Sequence, residues 1–127
     1  MMLLQKILLI ALAGGLGALA RYGLSGLVLR ATGPGLPYGT LVVNVLGCFL
    51  FGLVWALAAE RMLVSPELRT IVLVGFLGSF TTLSTFIFES HWLLNDARWL
   101  LALGNLVVMN IASLGLFVVG LAVGRVV

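Results

Sequence analysis

The sequence predicts an all-α integral membrane protein, a single domain spanning residues 1–127 with four transmembrane helices, and three observations carry that expectation. First, 62% of the 127 residues are hydrophobic and only 9% are charged, whereas a soluble domain shows roughly 25% charged residues to water. Second, the apolar residues fall into four stretches. Each is long enough to cross ~30 Å of hydrocarbon, which takes about 20 residues at about 1.5 Å per residue. Third, the breaks between them are short, so successive helices should pack antiparallel and place both termini on one side of the membrane, called here the near side. The helices are expected at about 3–30, 38–61, 66–90 and 98–125.

The first stretch could be read as a secretory signal, because Lys6 precedes the apolar run 7–20 and Ala18-Leu19-Ala20 resembles a cleavage site. The charged leader is thin, however, and the apolar pattern resumes over 22–29, which favours a retained helix. Residues 30–37 include Gly33-Pro34-Gly35 and Pro37, strong turn formers. Glu60-Arg61 closes the second stretch. Ser65 is expected as the N-cap of the third helix, with Pro66 in its first turn. Trp92 and Trp99 bracket the last loop, where an interfacial aromatic belt would sit. Ala13 and Gly17, Cys48 and Gly52, and Gly120 and Gly124 have the small-xxx-small spacing that lets helices approach closely in lipid.

Several functions are disfavoured by what is missing. The seven basic side chains include no adjacent pair, so no basic patch for nucleic acid is formed. Cys48 is the sole cysteine and can form neither an intrachain disulfide nor a metal cluster. His91 is the sole histidine and has no nucleophile beside it. Metal-ligand spacing and a phosphate-binding glycine loop are also missing, so the chain reads as a non-enzyme.

The loop charges give a weak orientation signal. Lys6, Arg61, Arg69 and Arg125 fall on the near side, Arg30 and Arg98 on the far side, and Arg21 is embedded. Such a small excess allows either one weakly set orientation or insertion both ways. In the second case, two oppositely inserted copies would pair antiparallel.

Ionisable and polar groups within spans mark candidate sites. Arg21 lies roughly 27 Å along a first helix of roughly 40 Å, in its far-side half, where it could snorkel to the headgroups or serve a solute. Glu89 lies at similar depth on the third helix and could pair with Arg21 or end its helix at the interface. Asn44, near the start of the second helix, offers two amide donors. It could equally hold two helices together. Asn105, Asn110 and Ser113 lie on the fourth helix, the last two on one face. The densest polar cluster is Gly75-Phe76-Leu77-Gly78-Ser79-Phe80-Thr81-Thr82-Leu83-Ser84-Thr85-Phe86 on the third helix, with two glycines beside its hydroxyl residues. Its glycine and hydroxyl residues suggest a break near mid-membrane, tolerated only where the backbone is buried in protein or lines a cavity. An embedded cation, hydroxyl and amide donors, and no carboxylate at the centre of any helix together favour a small anion as solute. Phenylalanine ring edges, which carry partial positive charge, add to this.

Three segments, Gly14-Gly15-Leu16-Gly17-Ala18-Leu19-Ala20-Arg21-Tyr22, Gly39-Thr40-Leu41-Val42-Val43-Asn44-Val45-Leu46-Gly47, and Gly75-Phe76-Leu77-Gly78 with Thr81-Thr82-Leu83-Ser84-Thr85-Phe86, occur in the order of the Fluc (CrcB) fluoride channel family, which the chain resembles over nearly its whole length. The resemblance implies an antiparallel, dual-topology homodimer in the cell inner membrane. Such a dimer exports fluoride passively, excludes chloride and relieves fluoride toxicity. It implies a fluoride pathway along Arg21, Asn44, Ser84, Thr85, Phe86 and Ser113. It also implies a structural sodium ion at the dimer centre, held by the backbone carbonyls of Gly78 and Thr81. The chain departs from the family pattern at Leu83, where a second pore phenylalanine is usual. Phe80, three residues away and on the same face of a continuous helix, is a candidate substitute. Two other readings are a small multidrug-resistance-type exporter, which needs a carboxylate in the first helix that this chain lacks, and a non-transporting assembly subunit whose polar residues serve packing.

Overall fold

A computed structural model describes residues 1–127, all in helices and turns. Four spans are long and apolar enough to cross a membrane: Leu3–Thr32, Tyr38–Glu60, Pro66–Asn95 and Trp99–Val126. The first is continuous and stops at Gly33, whose φ of 79° suits only a residue without a Cβ. There the Gly33 N–H closes the last turn onto the Leu29 carbonyl at 2.8 Å. The second is α-helical over Tyr38–Trp55 and widens into a π-helical turn over Ala56–Glu60.

The third span is the irregular one. Ser65 caps it, its Oγ accepting from the Leu68 N–H at 3.2 Å, with Pro66 at the first helical position. Pro66–Thr70 is α-helical, Ile71–Leu77 is π-helical, and Gly78–Phe80 completes one further α-turn. Thr81 (φ −82°, ψ 156°) and Thr82 (φ −147°, ψ 121°) are extended. Helix resumes over Leu83–Asn95, with the Thr82 hydroxyl accepting from the Thr85 N–H at 3.3 Å as its N-cap. The fourth span, Trp99–Val126, is continuous.

Small residues set how these helices meet. A Cβ on Gly52 would collide with the Phe117 carbonyl oxygen, and one on Gly120 with the Phe49 carbonyl oxygen. One on Gly124 would lie 2.7 Å from the Ala56 methyl. The second and fourth helices are thus in backbone contact. The first and third meet the same way, because a Cβ on Gly17 would strike the Phe76 carbonyl and one on Gly75 would lie 2.9 Å from the Ala13 methyl. A small core of Val43, Leu73, Leu77 and Phe80 lies between the second and third helices. At the near end, Arg125 makes a two-pronged ion pair with Glu60 at 2.6 and 2.8 Å. Arg69 stacks over the Trp55 ring there, 5.6 Å from its centroid.

Only 19 of 127 residues are buried, and the apolar side chains of the first and fourth helices mostly face outward. Those faces are suited to lipid or to another apolar surface, not to water.

Candidate functional site

The polar residues of the far half converge on one groove between the first three helices. A cleft of about 250 Å³ is lined by Arg21, Tyr22, Ser25, Thr40, Thr82 and Thr85, with Ala18 and Val43. A second cleft of about 240 Å³ shares Ser25, Thr40 and Thr85 with it and extends to Glu89 and Trp92. The first helix contributes Arg21 and Ser25 one turn apart, hence on one face. The second contributes Thr40 from its first turn. The third contributes Thr82 and Thr85, which face the groove because the extended residues re-aim the chain.

Arg21 and Glu89 do not pair. Glu89 Oε1 accepts the Thr40 hydroxyl at 2.7 Å, while Glu89 Oε2 and Arg21 Nε are both buried without a partner. The Arg21 guanidinium borders a cleft lined by hydroxyls, a place where an anion gains charge-assisted hydrogen bonds.

Asn44 is buried behind the cleft and holds the interrupted third helix. Its Nδ2 donates to the Thr82 carbonyl and its Oδ1 accepts from the Thr82 N–H, both at 2.8 Å. A remaining amide hydrogen meets the Met109 sulfur at 3.6 Å. The alternatives left open for Asn44, packing contact or pathway donor, are therefore not exclusive. Two of its bonds are structural, and the third is directed to a weak acceptor.

This arrangement also frees carbonyls. In a continuous helix the Thr82 N–H would bond the Gly78 carbonyl and the Thr85 N–H would bond the Thr81 carbonyl. Here the first goes to Asn44 and the second to the Thr82 hydroxyl. Gly78 is exposed on the outside of the protomer. Uncharged oxygens of this kind suit a hard cation, and no cluster of His, Cys, Asp or Glu offers another metal site. The residues present thus fit a sodium ion.

The other expected residues are dispersed within the protomer. Ser84 is exposed, Phe86 is buried, and Ser113 lies half-buried on the fourth helix, outside both clefts. Asn110 faces outward and bonds back to the Leu106 carbonyl at 2.7 Å. Asn105 bonds the Ser90 hydroxyl at 3.0 Å, which in turn bonds the Phe86 carbonyl. Phe80 does not stand in for a ring at Leu83. Phe80 is 4% exposed and stacks on Phe76 at 5.9 Å, whereas Leu83 is 71% exposed. The three-residue spacing puts two side chains on one face only of a continuous helix, and Thr81 and Thr82 interrupt this one. Ser25 and Thr40 were missed. Ser25 follows Arg21 by one turn, a signal that the sequence did contain.

These features define a multi-pass membrane protein with a polar groove, lined by hydroxyls and bordered by one cation and one carboxylate, in one half of its helical bundle. The profile of the family described as CrcB-like protein, Camphor Resistance (CrcB) matches residues 8–121, and the chain belongs to that family. Among its relatives, a fluoride-specific ion channel of Solidesulfovibrio magneticus is 55% identical over 98% of this chain and 100% of its own length. Others of the same description, from Nitrosococcus oceani and Nitratidesulfovibrio vulgaris, are 51% and 50% identical over 97% and 98% of this chain and 98% and 100% of their own lengths.

Proposed function

We propose that the chain is a fluoride-selective channel through which accumulated fluoride leaves the cell passively, relieving its toxicity. The observation that carries the anion reading is the Arg21 guanidinium, which has no carboxylate partner, at the edge of a cleft lined by hydroxyls. Fluoride as the particular anion rests on the relatives, which are called fluoride-specific over nearly the whole chain. Fluoride is small and strongly hydrated, so it leaves water only where donors replace its shell. Several weak sites in series would let it both enter and leave.

The working unit is an antiparallel, dual-topology homodimer in the cell inner membrane. Three features support it: the weak bias of loop charges, the outward apolar faces, and the confinement of the groove to one half of the protomer. A second, inverted copy supplies the same groove on the opposite side. The break at Thr81 and Thr82 then lies near mid-membrane, and Ser84, Phe86 and Ser113, dispersed within one protomer, line a route shared with the partner. The Gly78 and Thr81 carbonyls of both copies would hold a sodium ion at the dimer centre, where it neutralises converging carbonyl dipoles. Replacing sodium by a bulky organic cation should then lower the thermal midpoint of the dimer and slow flux together. Equal stability in both salts would remove the sodium from the proposal.

The first experiment is ion efflux from liposomes carrying the purified protein, read with a fluoride electrode against a chloride control. Fast fluoride release without chloride release is expected. Release of neither ion from folded protein would favour the assembly-subunit reading instead.

A further inference from the structure

Met109 lies on the fourth helix, buried to 4% exposure, with its sulfur 3.6 Å from Asn44 Nδ2. Two facts make this contact unlike a packing contact. The Asn44 amide cannot turn away, because Nδ2 and Oδ1 are both fixed by the Thr82 peptide at 2.8 Å. These two bonds also settle which end of the amide is the donor, so an N–H, not a carbonyl, is aimed at the sulfur. The second fact is chemical. A thioether is a weak acceptor, and Met is unbranched with three rotatable bonds. A poor and movable acceptor thus covers a rigid donor within a buried site.

We propose that Met109 is a positioning residue for the anion at Asn44. Its sulfur occupies the place at the free amide hydrogen that a dehydrated fluoride takes in transit, and the ion displaces it. This inference rests on the channel reading. A fluoride ion is a far stronger acceptor than sulfur, so the exchange favours the ion at the donor. The thioether meanwhile keeps the donor from being a deep trap or a water site when the ion has left. Asn44 then has two roles at once: one amide edge holds the Thr82 backbone and the other serves the ion.

Two substitutions should act in opposite directions. Met109→Leu keeps the bulk and removes the acceptor. Met109→Gln keeps the length and adds a carbonyl, which competes with the ion more strongly than sulfur does. In fluoride flux measured against fluoride concentration, half-saturation should fall about three- to tenfold in the first variant and rise by a similar factor in the second, the scale of one modest hydrogen bond. A residue that only packs would leave half-saturation unchanged, or move both variants the same way, and either result overturns the proposal. The Met109→Leu arm decides alone if Met109→Gln does not fold. A second measurement is the side-chain amide NMR signal of Asn44 in detergent. One amide proton should move on adding fluoride but not chloride, and should move at lower fluoride in Met109→Leu. If the wild type carries no fluoride in liposomes, the channel reading falls. The response of that amide proton to fluoride then still decides the Met109 assignment, with no shift overturning it.

Discussion

Asn44 bonds both polar groups of the Thr82 peptide and is itself buried. Removing its amide therefore strands both polar groups of the Thr82 peptide and, on the proposed channel reading, removes a donor from the pathway. A stranded buried group costs about 1–3 kcal/mol, so with two of them Asn44→Leu should lose about 2–6 kcal/mol of stability and more than tenfold in flux. Thermal unfolding alongside liposome efflux checks both. Loss of flux in this variant does not by itself separate conduction from support, which is why the Met109 pair is the sharper probe of the ion's contact. Arg21 was legible in the sequence, because a cation within an apolar span demands an explanation. The reciprocal pairing of Asn44 with Thr82 was not. It depends on the register between two helices whose bonded residues are 38 positions apart in the chain, and nothing local in either segment encodes that register.

Helix contacts here are governed by where a Cβ is forbidden. Gly120 touches the Phe49 carbonyl, while Gly15 has nothing within 4 Å. Gly120→Ala should push the second and fourth helices apart and cost about 1–3 kcal/mol, the usual scale of overpacking. Gly15→Ala should be neutral or slightly stabilising, since alanine favours helix by about 1 kcal/mol over glycine. Unfolding midpoints of the two variants in detergent check this contrast, and equal midpoints would mean that the close approach is not needed. The paired small residues were visible as spacing, and so were the four apolar stretches and the Ser65 cap. The π-helical turns at Ala56–Glu60 and Ile71–Leu77 were not. They reflect how the helices accommodate one another, not a local signature. The same limit explains Phe80 and Leu83, whose relation followed helical spacing only until the chain left the helix at Thr81.

At the scale of the whole molecule, the proposed dimer needs both orientations in one membrane. Added lysines on the near-side loops should fix one orientation, and added lysines on the far-side loops the other, since basic residues stay cytoplasmic. Each locked form alone should lose fluoride release, and co-expression of the two should restore it. Full activity from a single locked form would show that antiparallel pairing is not required. The protomer's groove lies in its far half alone, which is why the proposed channel calls on a second copy to complete a route across the bilayer. Sequence reading could reach the groove's ingredients, one helix at a time. It could not show that Ser25, Thr40 and Thr85 adjoin both clefts, because that follows from packing three helices together.

The Asn44 side chain meets the Thr82 peptide as one peptide meets another, giving and receiving one bond at equal length. A side chain anchored on one rod thus serves as the missing neighbour for an interrupted stretch of another, and the two rods are riveted at the break. Nothing at that junction can slide or swing without breaking both bonds in buried surroundings. On the proposed channel reading this joint is a fixed part of the wall, so the movement that admits an ion falls to the side chains around it, Met109 first among them.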